Sequence, residues 1–314
     1  MAVAQRSRQS ASEELRAELA RLPAARECDR LAELSGLAHT AGRLHLRGRG
    51  EVSLHVDVGA PAVARRAFRL LKSFGVDAQI RTYRRRALEL GTRYEVHVEG
   101  RPRALQTLNE AGVVTANLAP LTRPPKRVVA RACCRRAYLR GALLGAGSLS
   151  GPRSAHLEIR TTDGEGAEFI VAVADAEEIE LRVHERAGHV AVYAKSVESI
   201  AGALAAAGAH GLALEFEEHA VVGAARARAN RLANADSANL ERTARAAHAQ
   251  VRALRRLQRA GGLRTVPPAL SELAELRLQH PSLSLRELGL KCRPPASKSA
   301  VQHRLRALLR LAEP

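Results

Sequence analysis

Residues 28–49 read CDRLAELSGLAHTAGRLHLRGR, and residues 133–151 read CCRRAYLRGALLGAGSLSG. Shifted by 105 positions, Cys28 falls on Cys133, Leu34 on Leu139, Gly36 on Gly141, Ala41 on Ala146, Gly42 on Gly147 and Leu44 on Leu149. Small residues recurring at matched places mark an internal repeat, which sets the period for every other assignment. Outward from these stretches, the alternating strand Val52–Val56 corresponds to Ala155–Ile159, and Tyr94–Val98 corresponds to Val190–Ala194. A helix over Ala62–Phe74 matches Gly164–Asp175, and a strand over Gln79–Tyr83 matches Glu178–His184. A closing helix ends before Gly112 in one copy and Gly208 in the other, at the position after a helix that favours glycine. Periods of 3.6 and 2 therefore give helix–strand–strand–helix–strand–strand–helix twice.

Between the copies, LTRPPKRVVAR (121–131) is a proline-broken basic linker carrying Arg123, Lys126 and Arg127. After the second copy, residues 223–262 have almost no strand signal. Leu240, Ala244, Ala247, Val251 and Leu254 step by four and three, as in a narrow apolar helix seam. Arg242, Arg245, Arg252, Arg255, Arg256 and Arg259 occupy its other faces, against Asp236 and Glu241 as the acids of the segment. Gly261-Gly262 stop this helix, and Pro267-Pro268 open a terminal module.

That module reads as three helices. Leu270, Leu273, Leu276 and Leu278 mark the first. Ser284 and Glu287 are spaced as a capping box for a very short second helix closed by Gly289. Ser299 and Gln302 form a second such pair at the start of the third, with Val301, Leu305 and Leu308 facing inward. A short helix, a turn and a longer helix with a polar, basic first turn is the helix-turn-helix layout, whose last helix enters the major groove. Gln302, Arg304 and Arg306 carry groups that meet base edges or phosphates, His303 lies among them, and Lys298 and Ser299 suit phosphates. An ordinary three-helix bundle with a solvated polar face is the plainer reading of the same pattern.

The chain has 314 residues, with 50 Lys+Arg against 32 Asp+Glu, a net +18, and a pI of about 11.1. The excess is arginine, whose planar fork suits phosphate, so nucleic acid is the default partner. An aromatic fraction of 3% argues against binding single strands by stacking bases on aromatic platforms. An apolar fraction of 46% excludes a wholly disordered chain. The longest apolar run, Ile200–Ala209, is half the roughly 20 residues a bilayer demands. MAVAQRSRQS lacks an apolar export region, so a cytoplasmic, nucleoid-associated protein is expected. Cys28, Cys133, Cys134 and Cys292 lack Cys-x-x-Cys spacing and fit reduced thiols, with the adjacent pair expected to point apart along its helix. The twelve histidines show no paired metal spacing. Gly145-Ala146-Gly147 follows a helix, not a strand, so it reads as a turn and not a dinucleotide site. No cofactor or metal is expected.

Taken together, CCRRAYLRGALLGAGSLS (133–150), ANRLANADSANL (229–240) and ELGLKCRPPASKSAVQHRLRAL (287–308) resemble the WhiA family of bacterial transcription and cell-division (sporulation) regulators. The resemblance covers most of the chain after about residue 22. It implies an α+β, pseudo-twofold LAGLIDADG homing-endonuclease-like domain with antiparallel sheets, followed by an all-α helix-turn-helix domain. Active enzymes of the LAGLIDADG kind project one metal-binding acid from the end of each motif helix. Laid on Leu34–Gly42 and Leu139–Gly147, those positions hold Ala41 and Ala146. Methyl groups cannot ligate hard divalent cations, so the catalytic acids are absent from both motif positions. Glu158 and Asp163 are the nearby acids to weigh, on a strand and a turn.

The expected organisation is a flexible segment (1–21), a first repeat (22–120), a basic linker (121–132), a second repeat (133–222), a helical linker (223–266) and the helix-turn-helix domain (267–314). The resemblance implies a non-catalytic, sequence-specific regulator that binds promoter DNA, with a WhiB-type regulator or the transcription machinery as partner. Lys126, Arg127, Arg252 and Arg255 would add phosphate contacts. A divergent endonuclease and a non-specific nucleoid- or RNA-associated protein are the alternatives.

Overall fold

A computed structural model describes residues 10–47, 51–84, 91–186 and 188–312. The first copy runs α2 (Glu27–Ala41), β1 (Gly42–Arg47), β2 (Glu51–Val58), α3 (Pro61–Ser73), β3 (Gln79–Arg84), β4 (Thr92–Glu99) and α4 (Pro102–Glu110). The second runs α5 (Ala132–Ala146), β5 (Gly147–Ser150), β6 (His156–Thr161), α6 (Gly164–Asp175), β7 (Arg182–Arg186), β8 (His189–Ala194) and α7 (Val197–Ala207). Each copy forms one four-stranded antiparallel sheet, ordered β1-β2-β4-β3 and β5-β6-β8-β7. The registers match across the repeat: Gly42 pairs Val56 and Gly147 pairs Ile159, while His55 pairs His97 and Glu158 pairs Tyr193.

Strand alternation sends Leu54, Val56, Val96 and Val98 to one face and Ser53, His55, Glu95 and His97 to the other. The apolar faces of both sheets join α2 and α5 in one core with Leu34, Leu37, Tyr138, Leu143, Leu157 and Ile159. α6 is capped by Asp163, whose Oδ1 accepts from the Gly166 amide at 2.7 Å. α7 ends at Gly208 with φ +101, the left-handed position its sequence placement requires.

The expected flexible segment is corrected over residues 11–21, while its first nine residues lie outside the described ones. α1 (Ala11–Arg21) is a helix started by a capping box between Ser10 and Glu13, with Leu15 and Leu19 fully buried. Ser12 Oγ donates to Leu149 O at 3.0 Å, and Arg16 donates to Gly147 O at 2.7 Å, so α1 lies along β5. The cap signal Ser10-x-x-Glu13 was present in the sequence. Within the basic linker after the first copy, Lys126–Val129 form a 3₁₀ turn that buries Val128 and Val129.

The chain divides into two compact units, residues 1–223 and 224–314. α8 (His210–Arg259) is a single 50-residue helix. Its start belongs to the first unit, where Leu212, Ala213 and Phe216 are buried and Glu18 accepts from the Gly211 amide at 2.8 Å. In the second unit α8 contributes Leu254 and Leu257 to a separate core. Its companions there are Leu273 of α9 (Pro268–Gln279), Leu288 of α10 (Leu285–Lys291), and Val301, Leu305 and Leu308 of α11 (Lys298–Leu311). The expected linker over 223–266 is therefore corrected at its end, which is a fourth wall of the terminal module. The apolar seam is corrected too: Leu240 is 73% exposed and Ala244 is exposed, so burial begins only towards Ala253 and Leu254. Among the described residues no helix is long and apolar enough to cross a membrane.

Candidate nucleic-acid interface and the centre of the repeat

The third helix of the module forms as the sequence suggests, but its cap differs from the expected one. Ser297, not Ser299, is the cap: its side chain accepts from the Ala300 amide at 3.2 Å. This frees Ser299 and Gln302 from the expected capping pair and leaves both exposed. With 3.6 residues per turn, Lys298, Ser299, Gln302, His303 and Arg306 fall within an arc of about 140°, and all five are exposed. Arg304 departs from them. It is half-buried, on the flank beside Cys292, where its charge acts on a thiol pushed up by burial.

The second helix of the module also differs from expectation. Gly289 does not close α10, which continues to Lys291. Its lack of a side chain serves the turn: a Cβ there would sit 2.2 Å from Ala296 O, and the Ala296 amide donates to Gly289 O at 2.8 Å. The capping box at Ser284 and Glu287 forms as the spacing predicted, holding the Glu287 carboxyl below its ordinary range through the bond from the Ser284 amide. Buried Arg277 of α9 braces the module by donating to Gln250 of α8 at 3.0 Å and to Leu283 O. Arg252 and Arg255 on α8 are exposed.

Lys126 and Arg127 belong to the other unit. With Arg123 and Arg135 they line a cavity of about 760 Å³ whose wall also holds Glu165 and Glu168. Both are exposed, and Arg127 donates to Asn109 O at 3.2 Å.

The centre of the repeat is the pair α2 and α5. A Cβ on Gly36 would meet Tyr138 O at 2.2 Å, and one on Gly141 would meet Glu33 O at 2.1 Å. The two glycines are reciprocal: each lets its helix touch the other's backbone. Ala41 and Ala146 are the last residues of these helices and are half-buried, and a Cβ on Gly145 would lie 3.3 Å from Ala41 Cβ. Neither helix end offers an oxygen ligand at these positions. Asp163 is engaged as the α6 cap. Glu158 is buried, accepting from Arg160 Nε at 3.0 Å and lying 3.3 Å from His156 Nε2.

Several groups at this centre escaped the sequence reading. Glu33 is fully buried and takes a forked pair of bonds from Arg66, at 2.6 and 2.7 Å, plus Arg140 Nε at 3.0 Å. A buried carboxylate needs such partners, but residues 33 and 66 have no spacing that announces the pairing. His39 Nδ1 donates to Ser35 O at 2.8 Å, its Nε2 is buried without a partner, and burial lowers its pKa. On the polar face of the first sheet, cross-strand register gathers histidines that looked unrelated. The His45 and His55 rings lie 4.3 Å apart, His55 and His97 4.5 Å apart, and Glu95 Oε2 is 3.2 Å from His55 Nδ1.

The cysteines also correct the sequence. Cys133 and Cys134 do not point apart: their sulfurs lie 3.9 Å from each other. Cys28 and Asp29 approach from the matching end of α2, and the four ligand atoms all lie within 4.8 Å of one another. Burial, with hydrogen bonding to Cys28 and Cys133, pushes the Cys134 thiol up to about 12.

Family models match these same segments. Residues 27–114 match a WhiA N-terminal LAGLIDADG-like domain, 135–226 a WhiA LAGLIDADG-like domain and 229–312 a WhiA C-terminal HTH domain. The chain belongs to the WhiA family. It is 40% identical over 306 residues to a probable cell division protein WhiA of Heliobacterium modesticaldum, covering 97% of this chain and 96% of the relative. A relative of the same description from Symbiobacterium thermophilum is 40% identical over 303 residues, 95% and 96% of the two chains. Full-length DUF199/WhiA from Thermatoga maritima shares the fold with a TM-score of 0.59 at 24% identity, over 97% of this chain and 98% of that one. The architecture is thus an α+β LAGLIDADG-like domain of antiparallel sheets and helices followed by a helical HTH domain.

Proposed function

We propose that this WhiA-family chain is a non-catalytic, sequence-specific reader of double-stranded DNA that regulates transcription of cell-division and sporulation genes. The exposed stripe of α11 carries the reading: Lys298, Ser299, Gln302, His303 and Arg306 share one face within the segment matching the WhiA HTH domain. Gln302 and Arg306 carry groups that meet base edges or phosphates, His303 lies among them, and Lys298 and Ser299 suit phosphates. Arg304, on the flank, is a weaker base contact than the sequence implied. Arg252 and Arg255, with Lys126 and Arg127, add phosphate contacts. Residues 267–314 form the reading module, with 22–120 and 133–222 as repeat copies around linker 121–132.

Alanine at both helix ends supports the absence of nuclease chemistry, since hard cations need oxygen ligands there. Promoter DNA is the partner, with a WhiB-type regulator or the transcription machinery beside it, and the protein works in the cytoplasm on the nucleoid. Binding to a large pool of random duplexes at one fixed salt concentration tests this. A few sequences should be enriched, and Gln302→Ala should erase their advantage, a good base contact being worth roughly 1–3 kcal/mol. Equal affinity for all duplexes, or magnesium-dependent nicking of supercoiled DNA by the purified chain, overturns it.

A further inference from the structure

We infer that Cys28, Asp29, Cys133 and Cys134 form a tetrahedral zinc site joining the N-terminal turns of the two central helices. The set is built by the repeat itself. The 105-residue offset that superposes Cys28 on Cys133 also superposes Asp29 on Cys134, so each helix brings two ligands from its first turn. The close approach enforced by Gly36 and Gly141 carries those turns together. Three sulfurs and one carboxylate oxygen lie within 4.8 Å of one another. Zinc holds thiolate sulfur at about 2.3 Å, which places two tetrahedral sulfurs about 3.8 Å apart. The Cys133 and Cys134 sulfurs are 3.9 Å apart.

The chemistry of the donors selects the ion. Three thiolates exclude magnesium and calcium, which take oxygen, and favour a soft or borderline cation. An iron–sulfur cubane spreads its cysteines over separate iron atoms, and these sulfurs are too close together for that. Four ligands from the chain leave no open position, which is the pattern of a structural site and not a hydrolytic one. Metal binding itself displaces the thiol protons. Both helix N-termini present positive dipole ends, which favour anionic ligands. The fourth cysteine, Cys292, is buried in the other unit and takes no part.

The full-length chain, purified under reducing conditions without chelator, should carry about one zinc per chain by mass spectrometry. Replacing zinc by Co²⁺ should give sulfur-to-cobalt charge transfer and the absorption of a tetrahedral centre. Cys28→Ser with Cys133→Ser should lose both, and Cys292→Ser should keep both. Asp29→Cys, which leaves every proposed sulfur in place, should retain the metal and add a thiolate to the cobalt spectrum. That variant keeps the test valid if the double serine variant fails to fold. Absence of bound metal after reconstitution overturns the proposal. So does metal without thiolate charge transfer, which would place it at His55, Glu95 and His97. A cobalt spectrum unmoved by Asp29→Cys removes Asp29 from the ligand set and overturns the four-ligand site.

Discussion

Gly141 is a residue whose whole contribution is a missing carbon. The atom that a methyl would strike is the Glu33 carbonyl oxygen, part of a helix backbone that cannot rotate away. Gly141→Ala should therefore cost about 1–3 kcal/mol through forced separation of α2 and α5, read as a lower urea midpoint. Gly151→Ala, where a Cβ meets nothing within 4 Å, is the matched control and should shift nothing measurable. His39 makes a second prediction. Its folded pKa is lowered by burial, so between that value and the ordinary histidine pKa of about 6.5 the unfolded chain binds the extra proton. The His39 contribution should then be flat above about pH 7 and decline as pH falls below about 6.5. His39→Gln should make that decline shallower in urea unfolding followed across pH. An equally steep decline in the variant would remove His39 as its source.

At the scale of elements, α11 shows how a shift of two residues in the cap changes a reading. Ser297 and Ser299 are both placed to cap a helix by sequence, and the structure gives the bond to Ser297. Ser297→Ala should cost about 1 kcal/mol of stability in the second unit. Ser299→Ala should leave stability alone and weaken DNA binding. On the proposed reading, α8 carries its exposed arginines in a different role. Arg252→Ala with Arg255→Ala should lower affinity evenly across sequences and reduce the slope of log K against log salt by about one for each phosphate no longer neutralised. A weakening confined to the preferred sequences would instead assign these arginines to base edges.

At the scale of the whole molecule, the described residues form two cores with no residue in common, one around Leu34, Leu143 and Phe216 and one around Leu254, Leu288 and Leu305. Separate cores support separate cooperative transitions. Leu305→Ala should depress one transition by about 2–5 kcal/mol and leave the other in place, and Leu143→Ala should do the reverse. Circular dichroism through a urea titration reads this directly, and a single shared transition displaced by both variants would show the units to be coupled. The net charge of +18 belongs to this scale as well: it speeds encounter with DNA and says nothing about sequence preference.

The repeat, the order of its elements and the three-helix terminal module were legible in the sequence because they rest on local rules. Apolar period, turn glycines and cap spacing are written within a few residues of where they act. The paired small residues Gly36 and Gly141 even showed which helices have close-packing surfaces. What tertiary structure alone decided were meetings between residues distant along the chain. Glu33 finds Arg66 and Arg140, His55 finds His97 across a strand pair, and Cys28 with Asp29 finds Cys133 with Cys134. Nothing in a spacing of 33 or 107 residues encodes proximity. Burial of α1 and the exposure of Leu240 follow the same division. An amphipathic pattern states that a helix has an apolar face, and only the fold supplies or withholds the surface that covers it.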